Sequence, residues 1–305
     1  MGRCRNALSH PELESLRMRA RDTSSVSYLE GLSLGPPLGQ GGMSRVREAT
    51  TAEGRRVAVK FPRLGDESHA AARALVHREY GFLDGISHPN VVAVFGLTRT
   101  PDWPDAPAAG LAARGMVMEY LEGGDLVSLA GAPPRCWVPV ARQVARAVDH
   151  LHRNGIVHRD LKPRNILLRS DDAPCLIDFA LAARVGAPTP AGGGTAAYRR
   201  RTATDEAGAT GEADTAHAAC VADDVYALAA VVYELWTGAL PYGQHPTRSN
   251  GARRREFPEL RAVPGVRGLN HLADVLSDIL NERDSALDSG IRPLLHALES
   301  VGSNH

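Results

Sequence analysis

Between two short apolar runs, Ile156-Val157 and Ile166-Leu167-Leu168, the chain carries the polar loop His158-Arg159-Asp160-Leu161-Lys162-Pro163-Arg164-Asn165. Its residue types suit phosphoryl chemistry. Asp160 could accept a proton, Lys162 could meet a phosphate as a point charge, and Asn165 could ligate a hard cation through its amide oxygen. The flanking runs read as strands that hold the loop rigid. Taken alone, such a stretch is equally compatible with a solvated turn. The use of lysine sharpens the reading. Of 35 basic residues only Lys60 and Lys162 are lysine, and all the others are arginine. Arg is a planar fork and Lys a compact ammonium, so the two differ most where one point charge must meet a phosphate in a narrow space. If the two were exchangeable, a pair of lysines would fall on two chosen basic positions roughly once in 600.

Other elements must position further groups for this chemistry. Gly39-Gln40-Gly41-Gly42-Met43-Ser44-Arg45-Val46 lies between two segments that read as strands. Glycines there let the backbone approach a phosphate and turn N–H groups toward it, although such a pattern also marks an ordinary hairpin. Arg55 to Phe61 alternates as a strand and carries Lys60 near its end. Ser68 to Ser87 reads as a helix with Leu75, Val76, Phe82 and Leu83 on one stripe and Glu79 in its middle. A carboxylate on a buried face needs a cation, and Lys60 is the candidate. Pro174 to Ile177 reads as a strand delivering Asp178-Phe179-Ala180. A hairpin there would bring Asp178 beside Asn165, where the two can hold Mg²⁺.

In this order these stretches resemble the eukaryotic-like serine/threonine protein kinase family in its bacterial style. The loop at His158 to Asn165 resembles its catalytic loop, and Gly39 to Val46 its glycine-rich loop with Ser44 in place of the third glycine. Val57 to Lys60 resembles its Val-Ala-Ile-Lys strand, Met116 to Leu126 its hinge, and Asp178-Phe179-Ala180 its Asp-Phe-Gly. The resemblance implies an α+β, bilobal protein kinase-like fold. A small antiparallel β-sheet lobe with one helix would occupy residues 32–118, a hinge 119–124 and a mainly α-helical lobe 125–301, with an N-terminal extension over 1–31 and ATP in the cleft. Val46 and Ala58 would roof the adenine, and Leu38, Gly39, Gly41 and Leu167 would complete the nucleotide contacts. Backbone groups of Glu119 and Leu121 would bond adenine, Met118 would line the back of the pocket, and Asp125 would reach the ribose. Lys60, paired with Glu79, would position the α- and β-phosphates. Asn165 and Asp178 would ligate Mg²⁺ or Mn²⁺. Asp160 would deprotonate a Ser or Thr hydroxyl while Lys60 and Lys162 neutralise the phosphoryl charge.

Gly194-Thr195-Ala196-Ala197-Tyr198 resembles the family's GTxxY stretch and, with Lys162, implies Ser/Thr specificity on a protein substrate. Thr189 and Thr195 are candidate autophosphorylation sites, and a phosphorylated Thr189 could pair with Arg159. Departures from the family pattern are also present. Ala180 replaces a glycine and would resist any positive φ. Arg200-Arg201-Thr202 stands where the family has Ala-Pro-Glu, and Leu287 stands where the arginine partner of that glutamate aligns, so both members of a buried ion pair are absent together. These departures keep open a pseudokinase, a nucleotide-binding module without transfer. A small-molecule kinase of the aminoglycoside phosphotransferase type shares the loop pattern, but Lys162 and the GTxxY stretch argue against it. Asp224 to Trp236 is apolar nearly all round and reads as a buried helix, capped by Asp223 or Asp224 and ended by Thr237-Gly238.

The totals exclude several classes. With 35 acidic and 35 basic residues among 305, net charge makes no case for nucleic acid or an anionic membrane, and the Arg triplets at 199–201 and 253–255 read as solvated loop faces. Cys4, Cys136, Cys175 and Cys220 show no CxxC spacing and no metal-ligand pairing with His, so free thiols in a reducing compartment are expected. No apolar run reaches the length of a membrane span, the N-terminus lacks the apolar core of a signal peptide, and Asn6 breaks the myristoylation pattern that Met1-Gly2 opens. The expectation is a cytoplasmic protein.

Overall fold

The alternation in Arg56-Val57-Ala58-Val59-Lys60-Phe61 is realised as a strand with two different faces. In the computed structural model, which describes residues 28–29, 31–40, 44–62, 69–100, 113–189, 193–200, 217–242, 260 and 266–303, the chain divides into two compact units, one ending at Gly123 and the other starting at Gly124.

The first unit holds β1 (Tyr28–Leu29), β2 (Ser33–Gln40), β3 (Ser44–Thr50), β4 (Arg56–Pro62), helix α1 (His69–Leu83), β5 (Val94–Thr100) and β6 (Ala113–Glu119). These strands form a six-stranded sheet in the order β1-β5-β6-β4-β3-β2. The expected antiparallel pairing holds from β2 to β6, whereas β1 joins the edge parallel to β5, with Tyr28 opposite Leu97. Period-2 geometry sends Val57, Val59 and Phe61 to one face, where they form a buried cluster with Ala49, Ala93, Phe95 and Val117. Each such side chain contributes about 1.5–3 kcal/mol on full burial. Gly115 is required beside it, because a Cβ there would lie 2.7 Å from Phe61 Cε1 and Val59 Cγ1. The opposite face carries Ala58 and Lys60. The register aligns Gly39 with Val46, Val46 with Lys60 and Lys60 with Met116, one row across four strands. Helix α1 buries Val76, Glu79, Tyr80 and Leu83, the i, i+3, i+4, i+7 stripe of an amphipathic helix.

The second unit holds helices α2 (Pro134–Arg153), α3 (Val221–Thr237), α4 (Leu269–Leu280), α5 (Asp284–Asp288) and α6 (Arg292–Ser300). Antiparallel two-stranded ribbons join β7 (Ile156–Val157) to β10 (Ala183–Arg184), β8 (Ile166–Leu168) to β9 (Pro174–Leu176), β11 (Pro188–Thr189) to β12 (His217–Ala218), and β13 (Val266–Arg267) to β14 (Gly302–Ser303). Helix α3 is buried on every side from Asp224 to Tyr233, as its composition requires. It ends at Gly238, whose φ of +76° is a left-handed cap that a side chain would resist. Helix α2 buries Val140, Val144, Val148 and Leu151, and its Trp137 ring meets Trp236 of α3 with centroids 5.8 Å apart. Arg142 of α2 donates to the carbonyls of Leu298 and Val301 at the end of α6. Leu287 is buried, as an apolar side chain requires.

Candidate active site

The loop after β7 is built around backbone strain that a buried carboxylate restrains. Arg159 has φ +68° and Asp178 φ +64°, left-handed conformations that cost non-glycine residues about 1–3 kcal/mol. Asp224, fully buried on α3, accepts the N–H of Arg159 at Oδ1 and the N–H of His158 at Oδ2, each at 2.8 Å, and its Oδ2 lies 2.9 Å from His152 Nε2. Burial alone would push this carboxyl up, but the His152 hydrogen bond, the neighbouring His158 and the Arg159 N–H outweigh it and hold Asp224 below the ordinary carboxylate range. The His158 ring is fixed too. Its Nε2 lies 3.1 Å from the Ile177 carbonyl, its Nδ1 accepts the Asp160 N–H at 3.3 Å, and its ring meets Phe179 edge-on at 4.6 Å. That pattern makes Nε2 the protonated nitrogen.

Both oxygens of Asp160 are engaged. Oδ2 accepts from Lys162 Nζ at 2.7 Å and from Asn165 Nδ2 at 2.9 Å, while Oδ1 accepts the N–H and the hydroxyl of Thr195, both at 2.9 Å. Lys162 Nζ also donates to Thr195 Oγ1 at 2.8 Å. An alcohol therefore sits between a carboxylate and an ammonium. Gly194 permits this approach, because a Cβ at its φ of +89° would come within 2.6 Å of the Arg159 carbonyl. Asn165 Nδ2 also donates to the Asp160 carbonyl at 2.8 Å, and the two bonds turn its Oδ1 away from Asp160. The β8–β9 ribbon continues past its last pair with Ile177 N–H to Asn165 C=O at 3.0 Å, which brings Asp178 to the residue next to Asn165's partner. Both side chains are hard oxygen donors that fit Mg²⁺ or Mn²⁺. Ala180 is not among the positive-φ residues, so the alanine is unstrained and the expected backbone cost does not arise.

In the first unit, Lys60 Nζ bonds both carboxylate oxygens of Glu79, at 2.8 and 2.7 Å, with 6% and 2% of the two side chains exposed. The Lys–Glu pairing read from the helix stripe is present. Val46 lies beside Lys60 in the row, and Ala58 pairs with Met118. Leu38 and Gly39 are exposed on β2, and Gly41 lies outside the described residues. The Glu119 N–H donates to the Ala93 carbonyl at 2.9 Å, and Leu121 is half-buried. Arg56, which sequence reasoning passed over, bonds Glu48 at 2.9 Å and Glu122 at 2.8 Å and lies over the Tyr120 ring. It fixes the residues on either side of Leu121.

Asp125 and Leu167 belong to the second unit and pair with each other across an isolated bridge. Asp125 Oδ1 accepts the Val127 N–H at 3.1 Å, capping a short 3-10 turn. Thr189 is buried, and its hydroxyl donates to the His217 carbonyl at 2.7 Å, while the Arg159 guanidinium reaches the Leu181 carbonyl at 3.3 Å. In this conformation neither Thr189 nor Thr195 offers its hydroxyl to a second molecule. Arg200 reaches Asp223 at 3.5 Å, and Arg201 and Thr202 lie outside the described residues. Asp224 is the site residue sequence reasoning missed, because with Asp223 it reads as a helix cap.

Comparison with known proteins agrees with this geometry. A family model described as protein kinase domain matches residues 32–289. The serine/threonine-protein kinase Pkn1 of Myxococcus xanthus is 35% identical over 225 residues, 67% of this chain and 28% of its own length. PknB of Mycobacterium leprae is 32% identical over 236 residues, 74% of this chain and 35% of its own. PknD of Mycobacterium tuberculosis is 34% identical over 209 residues, 67% of this chain and 29% of its own. The chain thus spans about a third of the length of these relatives. The loop anchored by Asp224 and the Lys60–Glu79 pair both fall within the matched residues, and the chain belongs to the protein kinase family.

Proposed function

We propose that this chain transfers the γ-phosphoryl group of ATP to Ser and Thr hydroxyls of proteins, in keeping with the activity named for its relatives. The observation that carries the reading is the Thr195 hydroxyl, which donates to Asp160 and accepts from Lys162. An acceptor alcohol needs the same two neighbours, a base for its proton and a cation for the charge that gathers on the transferred group. Asp160 orients the acceptor and takes its proton, with Asn165 fixing the carboxylate plane. Lys162 and Lys60 stabilise the phosphoryl charge, and Glu79 keeps Lys60 extended and charged in a buried setting. Asn165 and Asp178 would hold Mg²⁺ or Mn²⁺, which would supply charge neutralisation to the phosphates.

Nucleotide contacts follow the same reading. Leu38, Gly39, Gly41, Val46, Ala58 and Met118 contribute from the first unit together with backbone groups of Glu119 and Leu121. Leu167 adds an apolar contact, and Asp125 offers the ribose the carboxylate oxygen that is not capping Val127. Autophosphorylation at Thr189 requires β11 and β12 to part first. Free thiols at Cys136, Cys175 and Cys220 support a reducing, cytoplasmic setting, and no helix among the described residues is long and apolar enough to cross a membrane.

The test is phosphate transfer by the purified chain with Mg–ATP, read by mass spectrometry on a protein substrate and on the chain itself. Asp160→Asn is expected to lower turnover by about 10²–10⁴ while leaving ATP affinity nearly intact. Equal transfer by the two proteins would remove Asp160 as the base. Nucleotide binding without any transfer by wild type would favour a pseudokinase.

A further inference from the structure

Outside the kinase machinery, the start of α3 brings His217, Cys220 and Asp223 together. One ligand atom from each, an imidazole nitrogen, a thiol sulfur and a carboxylate oxygen, lies within 4.8 Å of the other two. His217 Nε2 and Asp223 Oδ2 are 3.4 Å apart. They do not hydrogen-bond: Nε2 is a buried nitrogen without a hydrogen-bond partner among the described residues. The separation is the one that two ligands adopt around a shared tetrahedral cation, since metal–ligand bonds of about 2.1 Å give an edge of about 3.4 Å.

The donors are held in place before any ligand arrives. His217 is fixed by the β11–β12 pairing and by the Thr189 hydroxyl on its carbonyl. Cys220 and Asp223 form a reciprocal cap, the sulfur accepting the Asp223 N–H and the carboxylate accepting the Cys220 N–H at 3.4 Å. Ser, Thr, Asp or Asn would cap this helix better, because sulfur is a weak acceptor, so capping alone does not account for a cysteine here. Arg200 approaches the same two side chains, Nε 3.5 Å from Asp223 Oδ1 and a terminal nitrogen 3.6 Å from Cys220 Sγ. The pair already draws a cation through the carboxylate oxygen that does not face His217. Donors in that outer position steady metal ligands.

We propose that His217 Nε2, Cys220 Sγ and Asp223 Oδ2 form a site for a borderline transition-metal dication, Zn²⁺ by preference, with water as fourth ligand. Nitrogen and sulfur donors suit Zn²⁺ and disfavour Mg²⁺, which takes oxygen, so the catalytic cation does not compete for this site. A metal here ties β12, and through it the Thr189 strand, to the first turn of α3, one residue before the Asp224 that anchors His158 and Arg159. Spacing in the sequence does not mark this cluster, because His217-x-x-Cys220-x-x-Asp223 passes from a strand into a helix and matches no regular ligand spacing.

The test uses the full chain, stripped of metal and titrated with Zn²⁺ in competition with a chromophoric chelator. Stoichiometric binding is expected, with a rise in thermal midpoint. Cys220→Ser and His217→Ala should each weaken binding by at least about 10–100-fold, the range for lesser outer-shell losses, and Cys136→Ser at an exposed thiol should not. Co²⁺ should give a thiolate charge-transfer absorption that Cys220→Ser abolishes. Circular dichroism checks that each variant folds, and protection of Cys220 from alkylation by Zn²⁺ in wild type needs no variant. Absence of stoichiometric binding, binding indifferent to the two ligand substitutions, or an unprotected Cys220 would each overturn the proposal. None of these readouts involves phosphoryl transfer, so this site and the kinase reading fail separately.

Discussion

Asp224 and Arg159, 65 residues apart in sequence, are joined by a 2.8 Å hydrogen bond from the Arg159 N–H, and Arg159 keeps a φ of +68° at that contact. The next residue is Asp160, so the direction of the candidate base is set by a carboxylate that touches no reacting atom. A fully buried charge is costly unless its lone pairs are satisfied, and Asp224 is satisfied by two backbone N–H groups and His152.

Asp224→Asn turns an N–H donor toward a neighbouring donor and leaves one of them unpaired. The expected loss is about 2–4 kcal/mol in urea unfolding, with turnover falling in parallel. The pH dependence has a definite sign. The folded-state carboxyl lies below its ordinary value, so the folded state binds fewer protons there than the unfolded chain. The stabilisation is therefore complete above the unfolded value of about 3.9 and is lost as pH falls from there toward the folded value. Wild type and variant should differ by a constant amount from neutrality to about pH 5 and converge in stronger acid. A gap that widens below pH 4 would show that Asp224 is not the group responsible.

Lys60 tests why lysine survives in a chain that otherwise uses arginine. The ammonium is about as buried as Glu79, and both oxygens of Glu79 meet it. Lys60→Arg keeps the charge but adds a planar fork to a packed position, at a strain of about 1–3 kcal/mol. Displacing a phosphate contact by about 1 Å is expected to lower turnover by about 10²-fold, while the unit still folds. Glu79→Gln should instead destabilise by about 3–5 kcal/mol, because the lysine keeps its charge without its counterion. If Lys60→Arg turned over like wild type, the scarcity of lysine would need another cause.

Thr195 separates a positioning hydroxyl from a phosphorylation site. Thr195→Val preserves shape and removes the bonds to Asp160 Oδ1 and Lys162 Nζ, each a bond to a charged group. Losing such a bond costs about 1.5–3 kcal/mol, or about 10–100-fold in turnover. Thr195→Ser should restore most of the rate in steady-state assays. Thr195→Glu would rescue activity if phosphorylation at this residue were its purpose, and here it is expected to be inactive because it sets one carboxylate against another.

The parts of this arrangement legible in the sequence were those encoded over a short span. The Asp160, Lys162 and Asn165 cluster closes within six residues, and the strand bearing Lys60 and the helix bearing Glu79 each announce themselves by period. Long-range roles were not legible. Asp223 and Asp224 are adjacent acids at a helix start, and only the fold assigns the first to capping and the second to the catalytic loop. Tyr28–Leu29 is too short to show a strand period, and it pairs parallel with β5. Thr189 is a candidate autophosphorylation site from its sequence, yet its β-pairing with His217 buries it.

Ala180 bears directly on whether the proposed transfer can occur. The sequence alone suggests an alanine that resists positive φ, but the positive φ falls on Asp178, not on the alanine, and Phe179 is buried against His158. An alanine at negative φ restricts the unfolded chain more than glycine does and strains nothing in the folded one. Ala180→Gly should therefore lower stability by about 0.4–1 kcal/mol without raising metal affinity or turnover. Denaturant midpoints, Mn²⁺ titration and initial rates on the same two proteins decide it. A large gain in turnover for the glycine form would mean that alanine holds the segment in an unproductive arrangement, and the unstrained backbone at this position would then be the signature of a restrained kinase.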